Sequence, residues 1–497
     1  MEEATRAAFM DGKACYAAFR AHDSRFDGRF FIGVSSTGVY CRPVCRVKMP
    51  KEENCSYYSS AAAAEAAGYR PCLKCRPELA PGLAPVDAAC RLARKAALVM
   101  EEDCLCDGSI ASLANTLGVT DRHLRRVFSA EFGVSPLRYL QTRRLLLAKS
   151  LLTDTSLSVA AVALSAGFGS IRRFNELFGK RYRMTPGAFR KLKGDGKGER
   201  GDDCVALRLG YRPPYRWEEI LSFLAGRAIP GVESVANGAY RRAVLLRTGE
   251  SAYRGWIAVR NDEQRNSLVA TVSSSLLPVL PRVLSRVRGL FDLDCDPVRI
   301  FETLSTMNDL RPGMCAPGTR LPGCFDSFEM AVRAVLGQQI TVKAARTLAA
   351  RLAAAYGGCL ETPFDDVNRT FPEPGDVLGL PGPIESNLGP LGVIGARARS
   401  IRALADALSR GTVRLSRTAD PLEEMSELLK LPGFGPWTVH YLAMRALGWP
   451  DAFPHTDYGV KKALGGMTQK EILALSETWR PWRSYAVVNL WNAPDEQ

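Results

Sequence analysis

No apolar run in this 497-residue chain reaches the roughly 18 residues that a membrane-spanning helix needs, so no transmembrane span is expected. The N-terminus, MEEATRAAFMDGKACYAAF, lacks the basic start and long apolar core of a signal peptide. Without an export signal, the fourteen cysteines read as reduced thiols and metal ligands rather than as a disulfide framework. No cysteine follows Cys359, which denies the C-terminal stretch the four thiolates of an iron–sulfur cluster. Acidic residues fall short of basic ones, 52 against 66, and the net charge of +14 favours an anionic partner. The length suggests three or four domains.

Residues 1–80 form a first module. Cys41 and Cys45 are followed, after a gap, by Cys72 and Cys75. Two close pairs of thiolates suit a tetrahedral zinc site. Short strands are expected at 30–34 and 37–40, and an Ala-rich helix from Ser59 to Gly68, capped by Ser. Arg42, Arg46, Lys48 and Arg70 surround the cysteines and could hold neighbouring phosphates. Cys55 falls outside the pairs and reads as packing.

Residues 85–192 carry two helix-turn-helix patterns. In the first, from Ile110 to Phe128, Gly118 makes the turn and Thr120 caps the next helix. The second runs from Leu157 to Phe178, with its turn at 166–170. Their second helices present Arg122, His123, Arg125 and Arg126, then Arg172, Arg173 and Asn175. Arg can read guanine and Asn adenine in the major groove. The stretch 193–203 is Gly-rich, charged and poor in apolar residues, which describes a flexible linker.

From 204 to 285 the residues alternate with period two around an amphipathic helix at 215–226, as in a small antiparallel sheet with helices on one face. From 286 to 497 the pattern is helical. Helices are expected from Asp326 or Ser327 to Gly337 and from Thr341 to Tyr356, joined at Gln338-Gln339-Ile340. The role of the Pro- and Gly-rich loop 371–395 is not legible. The most informative stretch is LPGFGPWTVHYLAMRALGWPDAFPHTDYGVK, from Leu431 to Lys461. Gly433 and Gly435 can take φ > 0 in a tight turn between two helices, and such a hairpin exposes backbone N–H groups to a phosphate. Further on, Pro454-His455-Thr456-Asp457 places a carboxylate at the start of another helix.

Four resemblances follow from these motifs. STGVYCRPVCR with AGYRPCLKCRP resembles the N-terminal domain of the Ada methyl-response family. That resemblance implies a zinc ion on Cys41, Cys45, Cys72 and Cys75, with Cys41 accepting a methyl group from a DNA methylphosphotriester. The double helix-turn-helix resembles the AraC-type DNA-binding domain. Ada's second methyltransferase motif, Pro-Cys-His-Arg, is absent from this chain, so its O-alkylguanine activity is not carried over. Residues 204–285 resemble the N-terminal domain of AlkA-type 3-methyladenine glycosylases and are expected to be a scaffold. The hairpin and Asp457 resemble the helix-hairpin-helix, Gly/Pro-loop and Asp superfamily of DNA glycosylases.

The glycosylase resemblance makes Asp457 the carboxylate that supports base removal, and lines the base pocket with Trp437, Tyr441 and Trp491. Such a pocket suits a flipped, positively charged base. Relatives that nick the backbone carry a Lys nucleophile at the position of Trp437, so base removal without strand cleavage is implied. AlkA has a wedging Leu where this chain has Gln339, which leaves the wedge open between Gln339 and Ile340. The resemblance also adds a monovalent cation at the hairpin.

The expected fold class is multidomain α+β: a small zinc-bound α/β domain, an all-α double helix-turn-helix domain, a small antiparallel sheet-plus-helix domain, and an all-α helix-hairpin-helix glycosylase domain. The expected partner is double-stranded DNA, both damaged and promoter, with no membrane and no obligate protein partner. The expected location is the bacterial cytoplasm, on the nucleoid. The alternative is a methylation-activated transcription regulator whose glycosylase half is inactive and only holds DNA.

Overall fold

Strand pairing in the N-terminal module brings the four cysteines together. The computed structural model describes residues 12–22, 27, 30–58, 61–75, 77, 88–102, 109–192 and 203–493. After helix α1 (Gly12–Arg20) come β1 (Phe31–Val34), β2 (Val39–Cys41), β3 (Cys55–Tyr58), α2 (Ala61–Ala66) and β4 (Arg70–Pro71). The sheet order is β3-β1-β2-β4. Parallel pairing of β2 with β4 sets Tyr40 against Pro71, so Cys41 and Cys72 leave the sheet side by side. A turn in which Cys45 N–H donates to Arg42 O then folds Cys45 back toward Cys41. Strands β3 and β4 were not expected. β3 has no apolar alternation and β4 is only two residues long, so neither leaves a periodic signal. The Ser cap expected for α2 lies outside the described residues.

The first helix-turn-helix consists of α4 (Ile110–Thr116) and α5 (Asp121–Phe132), after α3 (Ala88–Glu102). Thr120 Oγ1 accepts from His123 N–H at 3.2 Å, as its capping position predicts. Helix α6 (Pro136–Asp154) leads to the second pair, α7 (Val159–Ser165) and α8 (Ile171–Tyr182), where Ser170 plays the same capping part. A short helix, α9 (Pro186–Leu192), ends this region. Of the expected linker, 193–203, residues 193–202 lie outside the described residues.

The chain divides into two compact units, 1–97 with 109–139, and 98–108 with 140–497. Within the second unit, Leu151, Val162, Phe168, Phe174 and Phe178 share one buried core with Val205, Leu207, Ile257, Val272 and Leu276. The second helix-turn-helix is therefore built onto the sheet that follows it, with α7 against the turn Ser274–Val279.

That sheet has the order β5-β9-β8-β7-β6, all antiparallel: β5 (Cys204–Gly210), β6 (Glu233–Ala236), β7 (Ala239–Thr248), β8 (Ser251–Asp262) and β9 (Ser267–Ser273). Helix α10 (Trp217–Ala225) sits between β5 and β6 in sequence. The rest is helical: α11 (Leu280–Leu290), α12 (Pro297–Leu304), α13 (Met307–Leu310), α14 (Ser327–Leu336), α15 (Val342–Tyr356), α16 (Pro374–Leu378), α17 (Ile384–Leu388), α18 (Gly395–Arg410), α19 (Pro421–Leu429), α20 (Pro436–Arg445), α21 (Tyr458–Ala463), α22 (Gln469–Ser476) and α23 (Arg483–Asn492). The illegible loop 371–395 thus holds two short α-helices, α16 and α17, and a 3-10 turn at Gly389–Leu391. No helix among the described residues is long and apolar enough to cross a membrane.

Sheet and helices are joined by buried ion pairs. Arg242 on β7 reaches Glu329 on α14 at 2.7 Å, and Arg333 on α14 reaches Glu233 on β6 at 2.6 Å. Removing one partner of such a pair would leave an uncompensated buried charge.

Candidate functional site

The hairpin between α19 and α20 folds as its glycines allow, but only one of them needs to be glycine for its backbone. Gly433 has φ +82°, whereas Gly435 caps α20 in an extended conformation with φ −84°. The expectation of positive φ at Gly435 is therefore corrected. Gly433 is also pressed close, since a Cβ there would come within 2.2 Å of Ser400 Oγ. From α20 the chain turns through Phe453–Asp457, with His455 N–H donating to Phe453 O and Asp457 N–H to Pro454 O, both at 2.9 Å.

Asp457 is the N-cap of α21, and four donors converge on it. Oδ1 accepts from Gly459 N–H at 2.9 Å, from Val460 N–H at 3.3 Å and from the Trp491 indole Nε1 at 2.8 Å. Oδ2 accepts from Trp437 Nε1 at 2.9 Å. Gly459 makes this approach possible, because a Cβ there would lie 2.5 Å from Trp491 Cδ1. Trp491 is itself placed by anchors on α23: Arg483 Nε donates to Asp451 Oδ1 at 2.7 Å, and Tyr485 Oη donates to Asp292 Oδ2 at 2.8 Å.

The three expected aromatics meet. Trp437 stacks on Tyr441 with ring centroids 5.3 Å apart, and Tyr441 lies 6.3 Å from Trp491. Sequence reasoning missed the backing of this wall. Phe223, on α10, stacks against Trp491 at 5.8 Å, and Arg227 lies over the Phe223 ring at 3.7 Å. The sheet domain is thus more than a scaffold. Phe223 stands on the half-buried side of an amphipathic helix, where it is indistinguishable from a core residue by pattern alone. Arg445 completes the floor, donating to Tyr441 Oη at 2.8 Å. Burial pushes the Tyr441 hydroxyl up, but the guanidiniums of Arg445, Arg227 and Arg333 outweigh it and bring its pKa below the ordinary range.

Asp457, Trp437, Tyr441, Trp491, Arg227 and Arg445 line a cleft of about 1600 Å3, which also takes in Arg311, Gln339, Ile340, Gly433, Gly435 and Tyr458. Gln339 and Ile340 occupy the α14–α15 turn. Gln339 is exposed and has φ +57°, while Ile340 is half-buried.

The second site lies in the first unit. The Sγ atoms of Cys41, Cys45, Cys72 and Cys75 lie within 4.8 Å of one another, and all four residues are buried. The cluster fits zinc: four zinc–sulfur bonds of about 2.3 Å in a tetrahedron place the sulfurs within this spread. Crowding supports the fit. Interaction with Cys45, then with Cys75, drives the Cys41 thiol far up, while Cys41 and Cys75 pull Cys45 down to about 5. A buried quartet of this kind needs a cation if its sulfurs are to be thiolates together. Cys45 and Cys75 have no exposed surface, whereas Cys41 and Cys72 retain 3% and 7%.

Arg42 corrects an expectation. It is fully buried and cannot face DNA as placed. Its Nε donates to Asp27 Oδ1 at 2.8 Å, its Nη1 to Cys75 O at 3.3 Å, and its backbone N–H points to Cys75 Sγ at 3.4 Å. It braces the cysteine cluster from within. Arg46, Lys48 and Arg70 are exposed. On the helix-turn-helix helices, Arg122, Arg125, Arg126, Arg172, Arg173 and Asn175 are exposed and His123 is half-exposed.

Four family models match the chain in order: the metal binding domain of Ada at 14–78, a helix-turn-helix domain at 113–192, the AlkA N-terminal domain at 206–326, and the HhH-GPD superfamily base excision DNA repair protein at 332–473. A Mycobacterium tuberculosis protein described as a probable bifunctional transcriptional activator/DNA repair enzyme AlkA is 38% identical over 97% of this chain and 96% of its own length. The chain belongs to the Ada/AlkA family of bifunctional transcriptional activator/DNA repair enzymes. Two further relatives each match one part of this Ada/AlkA chain. DNA-3-methyladenine glycosylase 2 of Escherichia coli is 38% identical over 58% of the chain and 99% of its own length. The bifunctional transcriptional activator/DNA repair enzyme Ada of Escherichia coli is 33% identical over 34% of the chain and 46% of its own length. The Ada/AlkA chain thus joins a zinc-binding module, a helix-turn-helix regulator module and a glycosylase domain.

Proposed function

We propose that this chain removes alkylated purines such as 3-methyladenine from DNA, with Asp457 as the supporting carboxylate. The observation that carries the reading is the pair of indole N–H groups that fix both oxygens of Asp457 inside an aromatic cleft. An alkylated purine is flipped out and stacks among Trp437, Tyr441 and Trp491. Alkylation at N3 or N7 leaves a cationic purine that departs readily. Asp457 stabilises the positive charge left on the sugar as the glycosidic bond breaks, and water completes the hydrolysis. Trp437, where a nucleophilic Lys would stand, cannot form a Schiff base, so excision leaves the strand intact. The hairpin, with Gly433 and Gly435, holds a backbone phosphate and a monovalent cation.

In the first module Cys41 attacks the methyl carbon of a DNA methylphosphotriester. The carbon–oxygen bond breaks, its electron pair stays on the phosphate, and S-methylcysteine remains. Of the two residues with any exposure, Cys41 is the family acceptor position. Zinc, when bound, keeps a thiolate nucleophilic at neutral pH. Losing one negative charge beside the phosphates strengthens promoter binding through Arg46, Lys48, Arg70 and the two recognition helices, an effect that shrinks as salt rises. The protein acts on damaged and promoter DNA on the nucleoid, in the bacterial cytoplasm, without an obligate protein partner.

The test is excision of a labelled alkylpurine by the full chain. Asp457→Asn keeps shape and removes charge. It should cut base release by orders of magnitude while binding to damaged DNA survives. Wild-type rates in that variant would remove Asp457 from the chemistry, and no excision by the wild-type chain would leave the regulator-only reading standing.

A further inference from the structure

We propose that the second helix-turn-helix is also the repair half's own grip on duplex DNA: α8 holds the flank of the lesion at one fixed distance from the cleft that takes the damaged base. The inference rests on the base-removal reading of that cleft and adds a second contact on the same duplex, beyond promoter binding.

The two helix-turn-helix motifs belong to different bodies. Helices α4 and α5 fall in the unit that holds the cysteine cluster, whereas α7 and α8 fall in the unit that holds Asp457. Inside that second unit the connection is a core. Leu151 on α6, Val162 on α7, and Phe174 and Phe178 on α8 are buried in the same cluster as Leu276 and Leu280. A polar tie accompanies it. Burial pushes the Asp294 carboxyl up, and the guanidiniums of Arg288, Arg417 and Arg143 outweigh it, Arg143 being a residue of α6. Close-packed cores transmit position rather than absorb it. The recognition helix α8 is therefore fixed relative to Asp457, unlike a domain on a flexible linker.

The side of α8 away from that core is open. Arg172, Arg173 and Asn175 are exposed. Neither arginine has an ion-pair partner among the described residues, whereas Arg125 on α5 is held by Asp121 at 2.8 Å. Two DNA-binding faces on one rigid body can meet one duplex or two, and mass action favours one. Once the cleft holds a lesion, the flanking phosphates are at high local concentration for α8, while a second duplex must arrive from solution. The reach suffices, since a compact body of this size is about 50 Å across, or about 15 base pairs of duplex. Lesions have no fixed neighbouring sequence, so the contact is to phosphates rather than to base edges.

The test is hydroxyl-radical footprinting of the full chain on long duplexes of arbitrary sequence that carry one tetrahydrofuran abasic analogue. Wild type should protect the lesion and, within about 15 base pairs, a second discrete patch. Its distance from the lesion should stay the same when the flanking sequence is changed. Arg172→Ala combined with Arg173→Ala should erase that patch, lower affinity for this duplex roughly tenfold and flatten the logarithmic salt dependence by about two. Both side chains are exposed, so the fold is not at stake. Methyl transfer to Cys41, in the other unit, should leave the patch as it is. A second patch that is smeared over many positions, that persists in the variant, or that appears only after methyl transfer overturns the proposal. Protection of the lesion alone also overturns it and leaves base removal standing. Both patches without excision of an alkylpurine would support the grip and count against the hydrolysis.

Discussion

Trp437 Nε1 donates to Asp457 Oδ2 across 2.9 Å, and the same ring stacks on Tyr441. One side chain thus serves as pocket wall and as clamp on the carboxylate. Trp491 repeats the arrangement on Oδ1 at 2.8 Å. Aim of the carboxylate and shape of the pocket are therefore coupled through two indoles.

Trp437→Phe separates the two duties, because it keeps an aromatic wall and deletes the N–H. A hydrogen bond to a charged acceptor contributes roughly 1.5–3 kcal/mol, so single-turnover excision should fall about ten- to a hundredfold. Affinity for DNA bearing an abasic analogue should change little. Equal losses in rate and affinity would mean that the indole acts through packing alone.

Arg42 and Arg46 stand four residues apart with opposite expected behaviour. Arg42→Met deletes the buried Arg42–Asp27 ion pair, which should destabilise the first unit by about 3–5 kcal/mol and lower its zinc content. Arg46→Ala should leave zinc content unchanged and weaken DNA binding, with a shallower dependence on salt. Zinc release to a chromogenic chelator and a salt titration of DNA affinity distinguish them.

Acid should loosen the segment that delivers Asp457. His440 accepts from Phe453 N–H at 3.4 Å through Nδ1. Burial, with the charges of His455 and Arg483, lowers its pKa from 6.5 to about 4. The folded state resists protonation there and the unfolded chain does not. This contribution to stability is complete above pH 6.5 and is lost as pH falls from about 6.5 to about 4. Melting temperature across that window should slope less in His440→Gln than in the wild type.

The motifs that carry chemistry were legible because each is local. The cysteine pairs, the capping residues Thr120 and Ser170, and the hairpin with its downstream Asp457 all sit within short stretches whose spacing has a physical meaning. What escaped was long-range. Nothing near Arg42 in the sequence announces Asp27, and its Cys-Arg-Pro context looked like a phosphate contact. Phe223 reaches Trp491 across more than half of the glycosylase region. Two of the four hydrogen bonds on Asp457 come from indoles that read, in sequence, only as pocket wall. The sequence leaves the wedge open between Gln339 and Ile340, and carries no sign of the left-handed backbone at Gln339 or of the tie from Gln338 to Gly433.

The second helix-turn-helix shares its buried core with the β5–β9 sheet. A nick in the stretch between them would sever the chain without parting the pieces, since the apolar seam holds on both sides. Conversely, a gene shortened to begin at residue 204 would lack α7 and α8, whose Val162, Phe174 and Phe178 now close part of the sheet's apolar core. Such a product would be inclined to stick to itself. Fusion has made the regulator's last helices part of the repair half's own skin.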